Sequence, residues 1–106
     1  MHVRVRVPTA LRKLVAGSQT VVVDVMVDDG GGAGPTDRDG VTVGSVLDAL
    51  AVEYPALERR VRDELGRTRV HVNLFVGADN VRDLDGLATP IAPGGELSII
   101  PAISGG

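Results

Sequence analysis

Two stretches near the N-terminus carry a valine at every second position. In residues 2–7 every second residue is valine, and His2, Arg4 and Arg6 lie between the valines. A second run covers residues 20–27, where every second residue is again valine. Because successive side chains point to opposite faces of a strand, this spacing predicts two strands with one apolar face each. The connection of about a dozen residues favours antiparallel pairing between them.

The apolar spacing changes to a helical period after residue 41. Thr42 is a favourable N-cap residue, and apolar residues behind it recur at the spacing of a single helix face. This stripe consists of Val43, Val46, Leu47, Leu50, Ala51 and Tyr54. The sequence therefore predicts a main helix that begins just after Thr42.

A second, shorter helix is predicted directly after the first. Pro55 disfavours helix at the residue before it and suits the first turn of a new helix. The apolar stripe of this helix consists of Leu57, Val61 and Leu65, and Gly66 closes it. The charged stretch from Glu58 to Arg62 is expected to form its exposed side.

Alternation with a period of two returns in the last third of the chain. In residues 70–77 one face carries Val70, Val72, Leu74 and Val76. Phe75 falls on the opposite face. Residues 78–80 predict a turn, residues 83–92 a loop-like crossing, and residues 96–101 a final strand.

The predicted order of elements is strand, strand, helix, strand and final strand. A helix packed on one face of a mixed sheet is an α+β arrangement of two layers. With a hairpin first and a helical crossing before the last strands, this order predicts the β-grasp, or ubiquitin-like, fold with one main helix. We expect one domain over residues 1–101, with a flexible Gly- and Asp-rich loop at residues 28–40, and a flexible tail at residues 102–106.

Composition and charge exclude several classes of protein. A length of 106 residues suits a single domain. The net charge of -3 and the presence of only Tyr54 and Phe75 as aromatic residues argue against a nucleic-acid binder. No apolar run approaches the roughly 18 residues of a membrane span, and the alternating N-terminus lacks the apolar segment of a signal peptide. We expect a cytoplasmic protein that binds no membrane and is a monomer when free.

The side chains suggest neither a catalytic site nor a metal site. Cysteine is absent, and His2 and His71 fall on the polar faces of predicted strands. The pairs Asp28/Asp29 and Asp37/Asp39 lack the regular spacing of a calcium-binding loop. The GGGAG sequence is followed by Pro35 instead of the Lys/Ser pair and helix of a phosphate-binding loop. The sequence therefore predicts that this protein is not an enzyme and binds no metal.

The last residues, Gly105 and Gly106, differ from the rest of the chain in their backbone freedom and in the reactivity of their terminal carboxylate. Without Cβ atoms they can adopt any backbone geometry and enter a slot too narrow for a side chain. A C-terminal carboxylate has a pKa of about 3.5, so it is ionised at neutral pH and can attack an activated phosphate. Taken alone, the dipeptide favours a frayed tail without a function. Its position after a β-grasp order of elements favours a functional tail.

Three stretches of the chain resemble the MoaD/ThiS family of sulfur carriers. They are VRVRVPTALRKL, TVGSVLDALAVEYPALERRV and VNLFVGADNVRDLDGLATPIAPGGELSIIPAISGG. The third is the most specific, because it combines GLATPI, a glycine-containing turn, a strand that ends in proline and a tail that ends in GG. The likeness is greatest to the actinobacterial carriers associated with cysteine synthase, the CysO-like group. The loop at residues 28–40 departs from this resemblance, since it is longer than expected for the family.

This resemblance implies a mechanism in which the chain is a substrate of other enzymes. An E1-like adenylating enzyme would thread the tail (Ile103, Ser104 and Gly105) and adenylate Gly106, and the ATP and Mg²⁺ would belong to that enzyme. A sulfur donor would then convert Gly106 to a thiocarboxylate. The sulfur would pass to an accepting enzyme that is cysteine synthase-like, or thiazole or thiosugar synthase-like. The same tail chemistry leaves open a ubiquitin-like protein modifier or a molybdopterin synthase small subunit.

The strand pattern also predicts a partner surface on the open face of the sheet. Phe75 and Ile100 would form an apolar patch on neighbouring strands of this face, and Arg4 and Arg6 would add positive charge. The alternatives are that Phe75 is tucked under the crossing loop and that the arginines only keep a strand soluble.

Overall fold

The computed structural model describes residues 2–25, 41–92 and 94–101. The predicted loop at residues 28–40 and the predicted tail at residues 102–106 lie outside these ranges. The flexibility assigned to them from the sequence, and the domain limits drawn around them, therefore stay predictions.

The described residues form a five-stranded sheet, whose first two strands are the runs of alternating valines near the N-terminus. The strands are β1 (His2–Arg6), β2 (Thr20–Asp24), β3 (Val72–Val76), β4 (Asp79–Asn80) and β5 (Glu96–Pro101). They form a sheet in the order β2-β1-β5-β3-β4, in which only β1 and β5 run parallel. The predicted antiparallel pairing of the first two strands is confirmed. Because β5 is the middle strand, the end of the chain leaves from the centre of the sheet.

The helical spacing after residue 41 produces α1 (Val43–Glu53), and Pro55 begins α2 (Pro55–Val61). Thr42 is the N-cap of α1, as predicted. Its hydroxyl accepts a hydrogen bond from the Ser45 N–H at 3.2 Å, and the Ser45 hydroxyl accepts one from the Thr42 N–H at 2.8 Å. This reciprocal pair satisfies two of the N–H groups that a helix start leaves without partners. Short 3₁₀ helices cover Thr9–Val15, Val81–Asp83 and Gly86–Ala88.

One face of the sheet packs against α1 and α2, and no helix of the described residues covers the other, which we call the open face. In β1 and β2 the valines at alternate positions are buried, while the residues between them are exposed. The buried residues of the sheet and the helices form a single cluster, made almost wholly of valine and leucine. This is the predicted two-layer arrangement, with the helix on one face of a mixed sheet.

The predicted crossing between β4 and β5 is fastened to the start of α1. The Val43 N–H donates to the Thr89 carbonyl, and the Ile91 N–H donates to the Val41 carbonyl, both at 2.9 Å. Gly44 allows the close approach, because a Cβ atom there would lie 3.2 Å from the Leu87 carbonyl oxygen. The crossing therefore contributes a buried Ile91 to the core instead of lying free on the surface.

The predicted strand at residues 70–77 is too long at both ends. Val70 is 84% exposed and precedes β3, which begins at Val72. The guanidinium of Arg82 donates to the carbonyls of Arg69, Val70 and Val72, and these bonds hold the residues before β3 outside the ladder. At the other end the turn comes earlier than predicted. Residues 77–78 form the turn, and Asp79–Asn80 form β4, which pairs with β3.

Two expectations about the second helix are wrong. Leu65 is 74% exposed and lies beyond the end of α2, because the Asp63 side chain accepts the N–H groups of residues 65 and 67 and folds a turn there. Glu58 and Arg62 are not on an exposed side. Their side chains are 16% and 11% exposed, since Arg62 pairs with Glu58 at 2.7 Å and with Asp48 of α1 at 2.9 Å.

Candidate functional site

The candidate site is the end of β5, from which the chain continues towards Gly106. The predicted sulfur-carrying residue Gly106 and the predicted threaded residues Ile103, Ser104 and Gly105 lie outside the described ranges. Their roles stay predictions. The structure defines the rigid base from which they extend.

Strand β5 is held firmly because both its neighbours bind it and its inner face is buried. Leu97 and Ile99 are buried in the core. On one side the ladder with β3 runs to the pair Val72 and Pro101. On the other side the ladder with β1 ends at the pair Arg6 and Ser98. The last residues of β5 are therefore fixed by β3 alone.

The predicted partner surface lies together on the open face of the sheet. Phe75 pairs with Ser98, and Ile100 pairs with Asn73, so Phe75 and Ile100 are diagonal neighbours across β3 and β5. Ile100 is 44% exposed. Phe75 is half-buried, so it is less exposed than the sequence suggested. Whether this patch contacts a partner stays a prediction.

Arg4 and Arg6 also lie on the open face, both exposed, but their surroundings differ. Arg4 pairs with Glu96 across β1 and β5, which places an opposite charge beside it. Arg6 pairs with Ser98 and Thr20, neither of which is charged. Arg6 is therefore the better placed of the two to meet a negative group on a partner.

Two other arginines have positions that the sequence did not predict. Arg12, on the 3₁₀ helix Thr9–Val15, donates its Nε to the Val7 carbonyl at 3.0 Å. Arg82 reaches back along the chain to the carbonyls of Arg69 and Val72, at the start of β3. Both contacts go to main-chain oxygens, so no complementary side chain marks them in the sequence.

The described residues offer little chemistry of their own. Within residues 2–25, 41–92 and 94–101 no cluster of three or more His, Asp or Glu residues could hold a metal ion. The same ranges contain no helix that is long and apolar enough to cross a bilayer. Asp63 has a pKa below its usual value, chiefly because its carboxylate accepts the Arg67 backbone N–H, but it lies in the turn after α2.

Comparison with known proteins places this geometry in a family. A family profile described as the ThiS family matches residues 32–106. The chain belongs to the ThiS family. This agrees with the resemblance seen in the sequence, and it covers the helices, β3 to β5 and the tail.

Individual relatives extend the similarity to the whole chain. The sulfur carrier protein CysO of Mycobacterium tuberculosis is 32% identical over 108 residues, covering 100% of both chains. Small archaeal modifier protein 1 of Haloferax volcanii is 39% identical over 92 residues, covering 87% of each. A chain in the crystal structure of the Amycolatopsis orientalis BexX/CysO complex superposes with a TM-score of 0.74 at 26% identity, covering 98% of this chain and 99% of that one.

These relatives confirm three of the sequence predictions. The fold is the ubiquitin-like β-grasp, and the family is that of the MoaD/ThiS carriers. The protein class is a small sulfur carrier rather than an enzyme. The partners, the compartment and the roles of single residues stay predictions.

Proposed function

We propose that this protein carries sulfur as a thiocarboxylate on Gly106 and delivers it to a biosynthetic enzyme. The observation that carries the proposal is the similarity to CysO, a sulfur carrier protein, over the full length of both chains. Both the folded part and the tail are included in that alignment. The proposed chemistry uses the main chain of Gly106 only.

The proposed activation has two balanced steps. The Gly106 carboxylate attacks the α-phosphorus of ATP, a C–O–P bond forms, and pyrophosphate leaves. Hydrosulfide then attacks the acyl carbon and displaces AMP, and loss of the remaining S–H proton leaves the thiocarboxylate. An ionised carboxylate is a poor acyl donor, so adenylation must come before sulfur transfer. ATP and Mg²⁺ are bound by an E1-like adenylating enzyme in this proposal.

The fold contributes a fixed origin for a narrow tail. Because β5 is anchored in the core through Leu97 and Ile99, the tail starts from a rigid point. Five residues follow Pro101, so an extended tail would reach about 17 Å into a partner. On the open face Ile100 lies next to this point, Phe75 and Arg6 lie level with Ser98, and Arg4 lies beside Glu96 at the start of β5. These four residues are the proposed contacts of the activating enzyme.

We propose a cysteine synthase-like enzyme as the first candidate acceptor, because the chain resembles the CysO-like group. A thiazole or thiosugar synthase-like acceptor is the alternative. The BexX/CysO complex shows that a structural neighbour of this chain forms a complex with another protein, which supports delivery to a separate accepting protein. Adenylation also requires ATP, which is consistent with the predicted cytoplasmic location.

A direct test is the intact mass of the purified chain after incubation with an E1-like enzyme, ATP and a sulfide source. Conversion of one carboxylate oxygen to sulfur should add about 16 Da. A chain lacking Gly105 and Gly106 is the control. It should fold normally, since the buried core of the described residues ends at Ile99, and its mass should not change. An unchanged mass of the full chain with all E1-like enzymes of its own organism would refute the proposal.

A second candidate function is protein modification, favoured by the similarity to small archaeal modifier protein 1. In that case the activated Gly106 would form an isopeptide bond with a lysine amine and release AMP. Higher-mass species of the chain that survive thiol treatment in a lysate would support it. A third reading, a molybdopterin synthase small subunit, would instead give a stable stoichiometric complex with a large partner.

A further inference from the structure

A groove lies beside the end of β5, on the side facing β1. We call it the exit groove. Its volume is about 390 Å³, and its lining includes Arg6, Arg12, Pro8, Ser98, Ile100 and Pro101. It forms because the β1–β5 ladder ends at Arg6 and Ser98, after which β1 turns away into the 3₁₀ helix that carries Arg12.

The exit groove is cationic in a protein of net negative charge. Among the described residues that line it, two are arginines and none is acidic, although the whole chain has a charge of -3. Within the same part of the chain neither arginine makes an ion pair, whereas Arg62 and Arg67 each pair with a carboxylate. A positive site that has no counter-charge among the described residues is suited to a negative group from outside.

Arg12 is held in place without losing its charge. Its Nε donates to the Val7 carbonyl at 3.0 Å, which restrains the guanidinium at the wall of the groove. A carbonyl is neutral, so this bond orients the group and leaves its positive charge uncompensated. An oriented guanidinium loses less conformational freedom on binding a carboxylate than a free one.

We propose that the exit groove binds an acidic peptide segment of the activating enzyme, at the mouth of the slot that receives the tail. This rests on the proposed function. Of the tail residues 102–106, only Ile103 has a large side chain. The folded surface next to the tail must therefore supply most of the features that distinguish this chain, and Arg6 and Arg12 are the charged residues that line the groove there.

The test compares charge reversals in the ATP–pyrophosphate exchange assay, with the chain as the varied substrate. Arg6→Glu and Arg12→Glu should each raise its KM about tenfold and leave kcat nearly unchanged. Arg60→Glu is the matched control, because Arg60 is exposed on α2 and the substitution changes the net charge equally. Its KM should stay within about twofold of that of the unaltered chain.

Further variants and conditions separate recognition from folding. Arg12→Lys keeps the charge but loses the Nε bond to Val7, so it should keep most of the affinity that Arg12→Glu loses. Raising salt from about 50 to about 300 mM should raise the KM of the unaltered chain and have much less effect on an Arg6→Glu, Arg12→Glu double variant.

Several results would overturn the inference. Equal KM values for Arg12→Glu and Arg60→Glu, with the unaltered chain active, would show that the activating enzyme does not recognise the exit groove. Tight binding of pyrophosphate to the chain alone would show that the groove is a site for small anions. Normal activation of both groove variants with impaired sulfur delivery would assign the groove to the acceptor instead. An inactive unaltered chain would refute the proposed function itself.

Discussion

Pro101 lies opposite Val72 in the last pair of the β3–β5 ladder. On the other side of β5 the pairing with β1 stops at Ser98. The end of β5 therefore has one side closed by strand pairing and one side open to the exit groove. The proposed activating enzyme would be able to contact the open sheet face and this groove at the same time.

Ile100 on the open face should be important for activation and unimportant for folding. Replacing Ile100 with Asp adds a charge to the proposed apolar patch, so the KM of the chain for its activating enzyme should rise at least about tenfold. Ile100 is 44% exposed, and the melting temperature should change little. Enzyme kinetics and circular dichroism melts measure the two effects.

Val52→Asp provides the control for this prediction. Val52 is 81% exposed on α1, on the opposite layer of the fold. An added charge there should leave the KM unchanged. If both aspartate variants impair activation equally, the open face has no special role.

The capping box of α1 should contribute measurably to stability. Thr42→Ala removes the hydroxyl that accepts the Ser45 N–H, and should lower the free energy of unfolding by about 1 kcal/mol. Thr42→Ser retains an accepting hydroxyl and should cost much less. Urea unfolding of both variants tests this, and an equal loss in the two would mean that the hydroxyl is not the cause.

The half-buried pair of Arg62 and Glu58 should contribute more to stability than the exposed arginines of α2. Arg62→Ala leaves the Glu58 carboxylate, which is 16% exposed, without its 2.7 Å partner. The expected loss in the free energy of unfolding is about 1–3 kcal/mol. Arg60→Ala, on the exposed side of the same helix, should change it by less than about 0.5 kcal/mol. Similar losses for the two would contradict the interpretation.

Asp63 should contribute to the loss of stability in acid. Its pKa is lowered in the folded state, chiefly by the Arg67 backbone N–H and also by the Leu65 N–H. A lowered folded-state pKa means that the stabilisation is present above the unfolded pKa and is lost as pH falls through the folded pKa. Asp63→Asn should therefore flatten the fall in stability below about pH 4.

Glu64→Gln is the comparison for Asp63, because none of these hydrogen bonds involves its exposed neighbour Glu64. In this variant, the unfolding midpoint should fall with decreasing pH as steeply as it does in the unaltered chain. The same slope in Asp63→Asn would mean that the turn after α2 does not depend on the charge of Asp63.

Local patterns in the sequence are enough to predict most of the fold. Alternating valines mark β1 and β2, because a strand with one buried face requires a period of two. Thr42 and Pro55 mark the starts of α1 and α2, since both preferences depend on the nearest few residues. The Gly105–Gly106 tail and the family resemblance indicate a carrier from the sequence alone.

Only the tertiary structure shows the exposure and contacts of residues whose neighbours are distant in the sequence. Val70 continues the apolar alternation, but it is exposed because Arg82 binds the carbonyls beside it. Arg62 belongs to a charged run, but it is nearly buried because α2 places it against Asp48. Arg12 lines the exit groove because the β1–β5 ladder ends at Ser98. Periodicity determines which face of an element is apolar, whereas strand register and helix packing determine where each element ends and what surrounds the start of the tail.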